Sequence, residues 1–141
     1  MGLKKWLHVE GPVDDATIAA IEQLFHVTFP QDYKNCIKQF NGGYPEPSSF
    51  DYDNGAQGIF HDLISFTNND LNISMFQEFA VKSIVPFGRD PFGNLLAFDY
   101  RLNKEKPPVI LFDHEEIEAE AITPVCNTFT ELLDKLYSIE S

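Results

Sequence analysis

The chain has 141 residues, 43% of them hydrophobic, enough for one sizeable core and too few for two, so a single domain spanning residues 1–141 is expected. Ten basic residues against 22 acidic ones give a net charge of −12, which disfavours direct contact with nucleic acid, because that contact needs a basic footprint to neutralise phosphates. No apolar stretch follows Lys4-Lys5, and the apolar runs are a few residues long, which predicts a cytoplasmic protein without membrane or export segment.

Helical periodicity begins at Asp14 and runs to Phe25, with Ile18, Ile21 and Phe25 on one face and Asp14-Asp15 at the positive end of the helix dipole. After Pro30 it returns through Tyr33, Cys36, Ile37 and Phe40. Asn41-Gly42-Gly43 then supplies a left-handed stop, and the two helices form a pair. Cys36 falls on the buried face of the second helix. Cys36 and Cys126 lack C-x-x-C spacing, so sequence leaves a disulfide open and favours two buried thiols in a reducing compartment.

Between Pro45 and Gly58, Pro, Gly, Ser and Asp predict an exposed loop or irregular edge hairpin. Within it, Asp51-Tyr52-Asp53-Asn54-Gly55 is out of register for a calcium loop and reads as turn chemistry. Ile59 to Phe66 is expected to be a strand. Asn68-Asn69-Asp70 offers capping side chains for a helix over Leu71 to Ala80, with Met75, Phe76 and Phe79 as its apolar positions.

Ile84 to Tyr100 reads as two apolar strands around a turn. Gly88 and Gly93 have the G-x-x-x-x-G spacing of a phosphate loop but are followed by Asn94-Leu95 rather than Lys and Ser or Thr, so they are expected to serve turns. Val109-Ile110-Leu111-Phe112 is apolar throughout, which predicts a central strand covered on both faces. Thr128-Phe129-Thr130-Glu131 has capping-box spacing and opens a helix whose stripe is Phe129, Leu132, Leu133, Leu136 and Tyr137. The order predicts an α+β fold: a largely antiparallel sheet flanked by an N-terminal helix pair, one inserted helix and a C-terminal helix.

The chemistry on offer is sparse. Asp113-His114-Glu115-Glu116, joined by His61-Asp62, is the most enzyme-like cluster, yet on a strand alternate side chains diverge and no recognised metal-ligand spacing occurs. A small metal-dependent enzyme is therefore the least favoured reading. No G-x-S-x-G elbow or activated cysteine sequence is present, and the expectation is no catalytic residue, no metal and no cofactor.

Acidity is the stronger signal. Asp113, Glu115, Glu116, Glu118 and Glu120 place five carboxylates in eight residues with no base among them. No Lys or Arg falls between Lys38 and Lys82, while Glu46, Asp51, Asp53, Asp62, Asp70 and Glu78 do. If these regions converge, they form one negative face suited to a basic protein partner. The alternative is a solvated surface whose charges maintain solubility and deter strand-to-strand aggregation. The partner reading assigns steering to Asp51, Asp53, Asp113, Glu115, Glu116, Glu118 and Glu120, and anchoring to Tyr44, Phe50 and Tyr52.

Several of these pieces, in this order, resemble the SUKH superfamily of Smi/Knr-like proteins. They are Phe29-Pro30-x-Asp32-Tyr33, Asn41-Gly42-Gly43, Val85-Pro86-Phe87-Gly88 leading to Gly93-Asn94 and Phe98-Asp99, Val109 to His114, and Thr128-Phe129-x-Glu131-Leu132-Leu133. Phe29 stands where the family commonly has Leu. The resemblance implies an α+β fold and no catalytic residues. For bacterial members it implies immunity proteins that neutralise polymorphic toxins, many of them nucleases, by direct binding. Fungal relatives regulate cell-wall synthesis, which makes a regulatory scaffold the alternative.

Overall fold

The computed structural model describes residues 2–52, 54–101, 103–113 and 121–139. In chain order the elements are β1 (Lys5–Leu7), α1 (Asp15–Phe25), α2 (Gln31–Phe40), β2 (Tyr44–Glu46), β3 (Ser49–Asp51), β4 (Gln57–Ile59) and β5 (Asp62–Leu63). A 3-10 segment, Ile73–Lys82, precedes β6 (Ile84–Arg89), β7 (Leu95–Asp99), β8 (Val109–Phe112), β9 (Ile122–Cys126) and α3 (Phe129–Asp134). Strands β5-β6-β7-β8-β9 form an antiparallel sheet in sequence order, while β1–β2 and β3–β4 are separate antiparallel ribbons. This is the expected α+β architecture.

Strand alternation divides the sheet. Val85 and Phe87, Leu96 and Phe98, Val109 and Leu111, and Val125 join the main core with Ile18, Ile21 and Phe25 of α1, Tyr33 and Ile37 of α2, and Phe129 and Leu132 of α3. The alternate residues Ile84, Ala97 and Ile110 form a second, smaller cluster with Phe112 and Ile122. β8 lies between β7 and β9 and feeds both clusters, as its unbroken apolar run predicts.

The helix signals act as read, with informative departures. Asp14 caps α1 by accepting from Thr17 N at 2.8 Å. Thr128 Oγ1 accepts from Glu131 N at 3.0 Å to open α3. α3 stops at Asp134, short of the apolar stripe: Leu136 is buried beyond its end, and Tyr137 instead exchanges backbone hydrogen bonds with Ser49 of β3 at 3.2 and 2.8 Å. Backbone pairing with the ribbon replaces the last helical turn. The left-handed residue after α2 is Gly42, at φ 71°, whereas Asn41 has φ −46°. Cys36 is half-buried and Cys126 buried, the latter donating from Sγ to Thr128 O at 3.3 Å.

Ile59 to Phe66 is not one strand. β4 pairs with β3 as far as Ile59, the chain then changes partner, and β5 pairs Asp62 and Leu63 with Arg89 and Gly88 of β6. The segment expected as a helix over Leu71 to Ala80 is 3-10 and kinked at Phe76 (φ −99°, ψ 17°). Its cap is Asn72, which accepts from Ser74 N at 3.0 Å, while Asn68 accepts from Asp70 N and Leu71 N in a turn before it. Gly88 also departs from the turn role. It sits inside β6 at a register shift against β7, where a Cβ would come within 2.9 Å of the Phe60 ring. Gly93, at φ 88°, is the turn glycine.

Two strands escaped the sequence reading. β1 is three residues long, and β9 contains Pro124, which an edge position tolerates because the missing N–H need not face a partner.

Candidate partner-binding surface

The antiparallel registers gather chemistry at one end of the sheet. Leu95 pairs with Phe112, Phe112 with Ile122, Arg89 with Leu95 and Asp62 with Arg89. The β6–β7 turn, the end of β8 and the start of β5 therefore share that end. Asp113 N donates to Ala121 O at 2.7 Å, so both ends of the acid-rich 114–120 connection are there too.

Asp90 builds the β6–β7 turn. Its buried carboxylate accepts from Phe92 N at 2.9 Å, Asn94 N at 2.8 Å and Asn94 Nδ2 at 3.2 Å, and its own N–H donates to Asn94 O at 3.0 Å. Phe92, at the tip, is 76% exposed. Alongside, the half-buried Tyr52 hydroxyl is held above the usual phenol range, first by burial and then by the negative charges of Asp90 and Asp113. His61 N donates to Arg89 O at 2.8 Å, so the chain leaving β4 also passes this end of the sheet.

Next along the edge, Arg89 grips buried Asp62 through Nε at 3.1 Å and Nη2 at 2.6 Å, and this bond raises the guanidinium pKa further. His61 Nδ1 lies 3.1 Å from the same Asp62 Oδ1. The Tyr44 ring stands edge-on between His61, at 4.9 Å, and His8, at 5.3 Å. A polar cleft of about 340 Å³ opens here, with Glu10, Tyr44, Asp62, Asp70 and Arg89 in its lining.

Of the residues named by the partner reading, Tyr44 stands beside His61, Asp113 follows the end of β8, and Tyr52 lies half-buried against Phe50. Asp51 is exposed on β3 and accepts from Tyr137 OH at 2.7 Å. Phe50 requires correction: it is 0% exposed and cannot anchor a partner. It faces Gly58 across the ribbon, where a Cβ would come within 2.7 Å of its ring, so the glycine leaves room for Phe50 to turn into the core. Asp53, Glu115, Glu116, Glu118 and Glu120 lie outside the described residues, as does His114.

Sequence reasoning missed Phe92, His8, Glu10 and Arg89 at this edge. Phe92 had a legible signal, an aromatic inside an Asp-Pro-x-Gly turn, whereas His8 and Glu10 arrive only because β1 pairs with β2. The rest of the described surface offers little reactive chemistry. Asp62 is committed to Arg89, and no group of three or more His, Cys, Asp or Glu among the described residues is placed to hold a metal ion. The Cys36 thiol is pushed up to about 12, chiefly by burial and then by Asp32, so it keeps its proton at neutral pH. No helix among the described residues is long and apolar enough to cross a membrane.

Residues 12–135, from just before α1 to the residue after α3, match the SMI1 / KNR4 family (SUKH-1). The chain belongs to this family. No curated protein matches the sequence. Membership supports an immunity or regulatory role in general. In this SUKH-1 chain the family match excludes β1, the strand that contributes Trp6 to the core and leads to His8 and Glu10 beside the cleft.

Proposed function

We propose that this SUKH-1 protein is a cytoplasmic, non-catalytic immunity protein. It neutralises a cognate polymorphic toxin, a nuclease, by direct binding through its acidic end of the sheet. The observation that carries this reading is that the strand registers bring Asp90 and Asp113 to one end of the sheet, on a chain of net charge −12. A nuclease must present a basic groove to hold its substrate. A negative face competes for that groove, accelerates encounter and disfavours partners of like charge. Tyr44 and Tyr52 add ring area that desolvates with little loss of side-chain freedom. The reading requires no cofactor and no turnover.

The test is a nuclease assay of the C-terminal domain encoded immediately upstream of this gene, titrated with the SUKH-1 protein. Stoichiometric loss of activity with a tight complex is the expected result. Full activity at saturating protein, with no complex formed, would reject immunity and leave the regulatory-scaffold role.

A further inference from the structure

We infer that Phe92 is the apolar anchor of this surface, inserting into a pocket on the partner that is rimmed by lysine or arginine side chains. The inference rests on the immunity reading above and names the residue that would supply most of its short-range binding energy.

Three observations converge. Folding does not account for Phe92: the turn needs the Asp90 carboxylate, the ring of Pro91, the positive φ of Gly93 and the Phe92 N–H, but not the Phe92 ring, which is 76% exposed. The ring is also carried on a pre-organised loop, since Asp90 satisfies the N–H groups of both Phe92 and Asn94 and closes the turn through Asn94 O. Ordering costs on binding are therefore small, which favours an anchor. Finally, the turn stands at the same sheet end as Asp113, because Leu95 pairs with both Arg89 and Phe112. On a chain of net charge −12, an exposed aromatic at this end fits an apolar depression with a cationic rim, and burial of the ring would strengthen neighbouring charge pairs by excluding water.

A second copy of this chain is a poor occupant, because joining two faces of a −12 protein sets like charges together. Val81, at 90% exposed on the 3-10 segment, provides the contrast: it is the more exposed apolar residue and is not part of the β6–β7 turn.

Binding of the full-length protein to the upstream-encoded domain is measured by stopped flow and surface plasmon resonance for wild type, Phe92→Ser, Phe92→Tyr and Val81→Ser, with size and melting temperature of each. Phe92→Ser should dissociate roughly 10- to 100-fold faster, the effect of losing one buried aromatic, with little change in association rate or salt dependence. Phe92→Tyr should retain most of the affinity, Val81→Ser all of it, and every variant should keep the size and fold of wild type. Tight wild-type binding with unchanged dissociation of Phe92→Ser overturns the anchor while sparing immunity. No wild-type binding rejects the immunity reading and this anchor with it. Self-association of wild type that Phe92→Ser abolishes assigns the ring to a second copy and overturns the proposal.

Discussion

Asp32 illustrates how a side chain legible as a local signal acts at long range. In Phe29-Pro30-x-Asp32-Tyr33 it reads as a helix-start carboxylate, and Oδ1 does accept from Tyr33 N at 2.8 Å. Its other oxygen accepts from Thr130 N at 2.9 Å and Thr130 Oγ1 at 2.7 Å, clamping the first turn of α3 from 98 positions away. The neighbouring Tyr33 is a different case. Its ring is fully buried against Phe87, Phe98 and Phe129, at centroid distances of 5.7, 5.1 and 5.4 Å. Its hydroxyl has no hydrogen-bond partner among the described residues. A buried unpaired hydroxyl costs about 1 kcal/mol or more. Tyr33→Phe should therefore raise stability by about 1 kcal/mol, or roughly 3 °C in melting temperature. Calorimetry checks it, and a lower melting temperature would mean the hydroxyl is satisfied in solution.

Among the elements, the corner after α2 shows why three consecutive residues are needed where the sequence suggests only a stop. Asn41 is fully buried, and its side chain accepts from Phe66 N at 2.8 Å and donates to Thr67 Oγ1 at 3.0 Å, tying the corner to the segment after β5. Gly42 takes the left-handed backbone. Gly43 takes an ordinary one, yet a Cβ there would lie 2.9 Å from Phe40 O and 3.1 Å from the Trp6 ring. At Gly42 the nearest atom, at 2.7 Å, is the end of the flexible Glu10 side chain. Gly43→Ala should cost about 1–3 kcal/mol, because a backbone oxygen and a packed indole cannot yield cheaply. Gly42→Ala should cost about 1–2 kcal/mol from its backbone conformation. Urea midpoints of the two variants settle the comparison: an unchanged midpoint for Gly43→Ala would show that β1 can shift outward.

Across the whole molecule, the charge asymmetry makes a kinetic prediction distinct from the anchor. Reversing Glu115, Glu116 and Glu118 to Lys changes the net charge by six and places cations in the connection between β8 and β9. Association with the upstream-encoded domain should slow by roughly 10-fold or more at low salt, with the difference shrinking as the Debye length contracts. Stopped-flow rates across ionic strength test this. An unchanged rate and salt slope would remove these carboxylates from the steering role.

The sequence by itself determined what depends on near neighbours: the Thr128 cap, the acidic start and apolar stripe of α1, the two-faced apolar run of β8 and the β6–β7 hairpin. Period, capping chemistry and turn residues act over a few positions, so they are readable without the fold. Tyr44, Tyr52 and Asp113 are half-buried while Phe50, from the same turn-rich segment as the two tyrosines, is core, so local composition did not separate surface aromatics from buried ones. Only the tertiary structure decided the rest. It sent Phe50 inward through the gap left by Gly58, split Ile59 to Phe66 between two partners, ended α3 early to pair Tyr137 with Ser49, and recruited His8 and Glu10 through β1. Each outcome depends on an atom far along the chain, a missing Cβ or an unpaired strand edge, and close packing makes such distant atoms as decisive as the residue's own propensity.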